Sequence, residues 1–158
     1  MTTIKPCLWF DGDAEAAVNF YVSLFPESRI DHVQRAPLDY PGGAAGSVLV
    51  VEFTLAGRPF QAMNGGPGVP FTMAMSLSID VPDQAEVDRL WNAFIAEGGV
   101  PSQCAWLTDR WGLSWQVVPA ALPALLASPD RAAATRVMQA MMGMTKIDVA
   151  ALEEAARG

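Results

Sequence analysis

Histidine is almost absent from this chain: His32 is the single one in 158 residues. A two-histidine-one-carboxylate iron site therefore cannot be assembled within one protomer. Cysteine is nearly as scarce. Cys7 and Cys104 stand far apart and in no C-x-x-C spacing, which fits a reduced, cytoplasmic protein in which both are ordinary buried residues. Positive charge is also in deficit, with 10 Lys and Arg against 17 Asp and Glu and a net charge of −7. No basic patch exists to neutralise phosphates, so nucleic acid is not an expected partner. The longest apolar runs are strand-sized, far short of the roughly 20 residues of a membrane span. No charged leader followed by an apolar stretch opens the chain, so export is not expected either. What is abundant is apolar surface, 51% of residues against 17% charged. That composition is globular, and the length suits one domain or two half-domains sharing a core.

The pattern along the chain alternates short strands with single helices. Residues 4–10, "IKPCLWF", read as a strand. A helix then opens at Asp13, with Glu15 in its first turn and Ala17, Phe20, Tyr21 and Leu24 at helical spacing, and Pro26 stops it. A strand over 29–36 follows, then a Pro/Gly-rich segment, "LDYPGGAAG", expected to be a long mobile loop. "SVLVVEFTLAG" and "RPFQAMN" make a hairpin turning at Gly57 and Arg58. After "GGPGVP", residues 65–70, the order restarts. "FTMAMSLSID" reads as a strand. Asp83 and Glu86 form a capping-box pair, and Val87, Leu90, Trp91, Phe94 and Ile95 define an amphipathic helix that ends at Gly98 and Gly99. Short strands near 103–107 and 113–118 close the unit, with Asp109 and Arg110 in a turn between them.

Superposing Asp13 on Asp83 brings Phe20 and Tyr21 onto Leu90 and Trp91. A strand–helix–strands unit thus occurs twice, about 70 residues apart, and such repeats dictate architecture. One helix after the first strand, then hairpins, indicates an α+β fold and not a doubly wound parallel sheet. The expected organisation is a first module over 1–64, a linker over 65–70, a second module over 71–119 and a helical tail over 120–158. In the tail, Ser128 and Pro129 read as an N-cap and first helical residue. Met138, Met141 and Met142 form an apolar stripe expected to dock on the domain or on a second subunit, and Thr145 with Asp148 opens a last helix.

The stretches "PCLWFDGDAEAAVNFYVSLFPESRI", "VEFTLAGRPFQAMNGGP", "CAWLTDRWGLSWQVVP" and "MGMTKIDVAALE" resemble the PhnB-like branch of the vicinal oxygen chelate superfamily. That superfamily includes glyoxalase I, bleomycin- and fosfomycin-resistance proteins and extradiol dioxygenases. The resemblance implies two βαβββ modules whose sheets curl around a cleft, commonly assembled as homodimers. Members of the branch often carry the label 3-demethylubiquinone methyltransferase. The usual S-adenosylmethionine site needs a parallel sheet with a Gly-rich strand-to-helix turn. Here "NGGPGVP" lies between two strands, so the label is not expected to describe the chemistry.

Metal-dependent relatives place His, Glu or sometimes Gln ligands on the first and last strands of each module. The first strand here offers only Cys7, and residues 71–79 offer no His, Asp, Glu or Cys. Where the resemblance puts Glu ligands, this chain has Gln61 and Gln116, neutral and weak donors. No metal and no cofactor is therefore expected. The resemblance turns the Gln116 face to the cleft, so Ser114, Gln116, Gln61 and Met63 are candidate ligand contacts, with Leu8 and Phe10 from the first strand. The alternative for the two glutamines is a purely structural strand role. Trp9, Trp91 and Trp115 read as packing residues; Trp106 and Trp111 either edge the pocket or pack. Glu52 is a candidate base if buried in the cleft, where its pKa would rise, and otherwise an exposed cross-strand residue. His32 reads as an exposed strand residue. Two functions stay open: a metal-free small-molecule binding protein, or a lyase or isomerase of the glyoxalase-like class.

Overall fold

The computed structural model describes residues 2–158 and divides into two compact units, Met1–Pro70 and Phe71–Gly158. The first contains β1 (Cys7–Phe10), α1 (Ala14–Leu24), β2 (Arg29–Arg35), β3 (Val48–Leu55) and β4 (Arg58–Asn64), with the strands in the order β1-β4-β3-β2. The second repeats this with β5 (Ser76–Val81), α2 (Gln84–Ala96), β6 (Val100–Pro101), β7 (Trp106–Thr108) and β8 (Ser114–Pro119), in the order β5-β8-β7-β6. In each sheet the first strand runs parallel to the last and every other pairing is antiparallel. The fold is α+β, two βαβββ modules with four-stranded mixed sheets. Three helices follow: α3 (Ala121–Leu126), α4 (Arg131–Met142) and α5 (Val149–Arg157).

Each module buries one sheet face and one helix stripe. In the first, Leu8, Phe10, Val51, Phe53, Phe60 and Ala62 are buried, as are Ala14, Ala17, Val18, Tyr21 and Leu24 of α1. Phe53 and Phe60 stack across the hairpin at 5.4 Å. In the second, Val87, Leu90, Trp91 and Phe94 of α2 are buried and Phe94 meets Trp115 at 4.9 Å. Burial of this kind contributes roughly 1.5–3 kcal/mol per large side chain.

Several local expectations change. Asp13 makes no side-chain cap; the first amide of α1, at Ala14, donates instead to the buried Asn64 Oδ1 at 2.9 Å. Asp83 does cap α2 through the Glu86 amide, but the Glu86 carboxylate turns to Arg89 and leaves the box half formed. The second module's first strand starts at Ser76, not at Phe71; Met73 and Met75 before it are exposed. Helix α4 is capped by Asp130, whose carboxylate accepts from Ala132 and Ala133, and not by Ser128. Helix α5 is capped by Asp148, not Thr145. In both places the carboxylate immediately before the first turn reaches the free amides better than a hydroxyl further away. The loop expected to be mobile is tied down: Tyr40 bridges Gly43, the Asp39 carboxylate takes the Ala45 amide and the Tyr40 hydroxyl donates to the Asn64 carbonyl at 2.8 Å.

The tail docks on the second module. Leu122, Val137, Ile147 and Leu152 form a buried cluster with Ala105. Backbone bonds from Cys104 to Met144 (2.8 Å) and from Ala105 to Thr145 (3.0 Å) clasp it to the chain leading into β7. Lys146 pairs with Asp88 at 2.6 Å. Of the expected methionine stripe only Met141 packs on this cluster; Met138 and Met142 are exposed.

Candidate functional site

Strand register decides which side chains share the sheet face that the helices leave open, because side chains alternate along a strand. In the first module Gln61 lies beside Cys7 and Glu52, and Glu52 lies beside His32. Met63 lies beside Trp9 and Val50. Gln61, Met63, Cys7, Trp9, Glu52 and His32 therefore share the open face. Leu8 and Phe10 belong to the opposite face, 2% and 3% exposed in the helix-packed core, which corrects their assignment as ligand contacts. On β1 it is Cys7 and Trp9 that lie on the open face, and the exposed Cys7 is not the buried residue expected.

Glu52 is held by Lys5 at 2.5 Å and is partly exposed. That hydrogen bond, with the Lys5 charge, moves its pKa below the ordinary 4.5. The direction is opposite to that of a buried general base. Trp9 is fixed by its own module: its Nε1 donates to the Gly66 carbonyl at 2.8 Å. A Cβ on Gly65 would lie 2.2 Å from the indole, so this ring approach requires glycine there. "NGGPGVP" is thus a strap across Trp9. Asn64, its buried first residue, also donates to the Val48 carbonyl at 2.9 Å.

In the second module Gln116 lies between Ser78 and Trp106, and its Nε2 donates to the Ser76 hydroxyl at 2.9 Å. Ser114 is on the same face but fully buried. Asp80, the last residue of the segment read as this strand and one place beyond the 71–79 stretch searched for metal donors, also falls on this face and is exposed. Trp106, Gln116 and Val118 face Leu122, Leu126 and Met141 of the tail across a space of about 310 Å³. Neither Trp111 nor Ser114 lines it. Trp111 sits in the turn before β8 with the Arg110 guanidinium 5.3 Å from its ring.

That turn is organised by Asp109. Its buried carboxylate accepts from the Trp111 amide (2.9 Å), the Leu113 amide (3.1 Å) and the Trp115 indole (2.9 Å). The aromatic-rich "TDRWGLSW" is built around this carboxylate.

Among the described residues no group of three or more His, Cys, Asp or Glu side chains stands close enough to hold a metal ion. Among the same residues no helix is long and apolar enough to cross a membrane. The wall supplied by the tail, and Cys104 at its edge, escaped the sequence reading. No short-range pattern announces which sheet face a distant helix will cover.

The sequence model of the 3-demethylubiquinone-9 3-methyltransferase family matches residues 2–118, nearly all of both modules. The chain belongs to this family. It is a PhnB-like member of the vicinal oxygen chelate superfamily. A solved PhnB protein from Bacillus cereus is similar at 33% identity and a TM-score of 0.67, over 75% of this chain and 100% of that one. A structure from Pseudomonas aeruginosa matches in fold at 24% identity and a TM-score of 0.56, over 75% of this chain and 98% of that one. A Staphylococcus aureus protein does so at 17% and 0.52, over 76% and 95%. A search of the curated proteins returned no match. The PhnB-like match ends before α3, so the tail and the wall it builds lie outside it.

Proposed function

We propose that this PhnB-like chain is a metal-free small-molecule binding protein that holds its ligand against an apolar, amide-lined sheet face. The observation that carries this reading is the pair of glutamines on the two closing strands. Gln61 of β4 and Gln116 of β8 each lie beside the parallel first strand of their module, on the face turned away from the module's own helix. A neutral amide both donates and accepts, and it orients a ligand without the charge compensation a metal needs. The Glu52 carboxylate, clamped by Lys5, supports an ion pair and not proton abstraction. Methyl transfer is not proposed, because Gly65 of "NGGPGVP" packs against Trp9 and the segment leads into a strand and not a helix.

Purification without added metal or chelator, followed by elemental analysis, tests the reading. The expected result is substoichiometric metal and an unchanged melting temperature after EDTA. One bound divalent ion per chain, with loss of stability on chelation, would overturn it. Thermal shift across apolar and aromatic metabolites and antibiotics should then give stabilisation by at least one class. A homodimer belongs to the same proposal, resting on the exposed Met138 and Met142 of α4; light scattering at micromolar concentration should return twice the chain mass. So does a cytoplasmic location, where both free thiols stay reduced.

A further inference from the structure

We infer that the space between β7, β8 and the C-terminal helices is a distinct ligand pocket for a small, neutral, planar aromatic molecule. The inference rests on the binding reading above and gives it a place and a ligand class. Its floor comes from the sheet, Trp106, Gln116 and Val118, and its wall from the tail, Leu122, Leu126 and Met141. At about 310 Å³ it stands at the lower end of the roughly 300–1,000 Å³ range of small-molecule sites, suited to one ring or two fused rings.

The lining chemistry selects the ligand. No charged side chain lines the space, so an ion entering it would lose hydration and gain no counter-charge. The indole of Trp106 and the thioether of Met141 both favour an aromatic ring over an aliphatic one. The Gln116 amide is the polar group on the floor, and the bond to Ser76 fixes its orientation. A hydroxyl or ring nitrogen on the ligand would find a hydrogen-bonding group already in place there.

The rim is held rather than loose. Cys104 and Ala105 adopt left-handed conformations, with φ of 56° and 76°, which non-glycine residues rarely take up. The clasp bonds to Met144 and Thr145 keep them there, so the tail wall and the strained rim hold one another. The Cys104 thiol lies in the lining, 3.6 Å from the Met141 carbonyl, and can report occupancy.

The test uses the full-length protein and naphthol as the probe, with iodoacetamide alkylation of each cysteine followed by peptide mass spectrometry. Cys7, on the first module's open face, serves as the internal control. At naphthol about ten times its Kd, alkylation of Cys104 should slow about tenfold while that of Cys7 is unchanged. Val118→Phe and Leu126→Trp, which fill the space from opposite sides, should each abolish the protection; Leu126→Trp carries the comparison if Val118→Phe fails to fold. Protection of Cys7 in place of Cys104, or protection that survives both substitutions, would overturn the pocket while leaving the wider binding reading standing. An unchanged rate at both thiols up to the solubility of naphthol would also overturn it. The wider reading fails separately, on the metal analysis.

Discussion

The indole of Trp115 donates to the Asp109 carboxylate at 2.9 Å, and both residues are 3% exposed or less. The carboxylate also gathers two backbone amides of the turn before β8. The negative charge is therefore solvated by protein donors, which is what lets a buried carboxylate stand against apolar side chains.

Asp109→Ala removes the acceptor from all three donors in a dry site. The expected cost is about 3 kcal/mol, larger than that of a typical substitution. Chemical denaturation followed by tryptophan fluorescence measures it. A loss within experimental error would show that the turn holds without the carboxylate.

Gly65→Ala tests the strap across Trp9. The added methyl group would fall inside the indole's contact distance, so either the ring or the strap must move. A destabilisation of about 2 kcal/mol is expected, together with a shift of the Trp9 indole N–H resonance as its bond to Gly66 is disturbed. An unshifted resonance would count against the arrangement.

Asp88 and Glu52 each have a folded-state pKa below the ordinary value, through the hydrogen bonds and charges of Lys146 and Lys5. A lowered folded pKa adds stability that is fully present above the unfolded values of 3.8 and 4.5 and is lost as pH falls through the folded ones. Both pairs are exposed enough for salt to weaken them. Carboxyl resonances followed by NMR should titrate below those values in the native protein. The Asp88 midpoint should return toward 3.8 in Lys146→Met.

Leu152→Ala empties a fully buried position in the tail cluster. A cost of about 3 kcal/mol is expected. Hydrogen exchange should show it concentrated in α4 and α5, with β1 to β4 unaffected. Equal loss of protection throughout the chain would show that the tail is not a separable element.

The modules were legible in the sequence because their patterns are local. Val87, Leu90, Trp91 and Phe94 fall at helical spacing, and all four are buried. Strand alternation placed Gln116 and Trp115 on opposite faces, as found: Trp115 packs on Phe94 and Gln116 reaches Ser76. The same alternation would have served for Leu8 and Phe10. Lys5, two and four residues before Cys7 and Trp9, marks the open face through its pair with Glu52, but Pro6 and the shortness of β1 obscure the register. The pairing of Cys7 with Gln61 settles it. The strap, the anchored loop and the tail's docking depend on partners up to 65 residues away, such as Gln84 and Val149, and no window of sequence contains both.

Gln84 carries a consequence of its own. From the first turn of α2 its Nε2 donates to the Ile147 carbonyl at 3.1 Å and to Asp88 at 3.0 Å, while its Oε1 accepts from the Val149 amide at 2.8 Å. One side chain therefore splices the start of α5 to the start of α2, and it can do so only because an amide has both a donor and an acceptor end. Glutamate in its place, alike in shape, would lose both donated bonds and set a second negative charge against Asp88. A single nitrogen thus stands between a tail spliced to α2 on both sides of its last helix start and one left to apolar packing, the rim clasp and the Lys146–Asp88 pair.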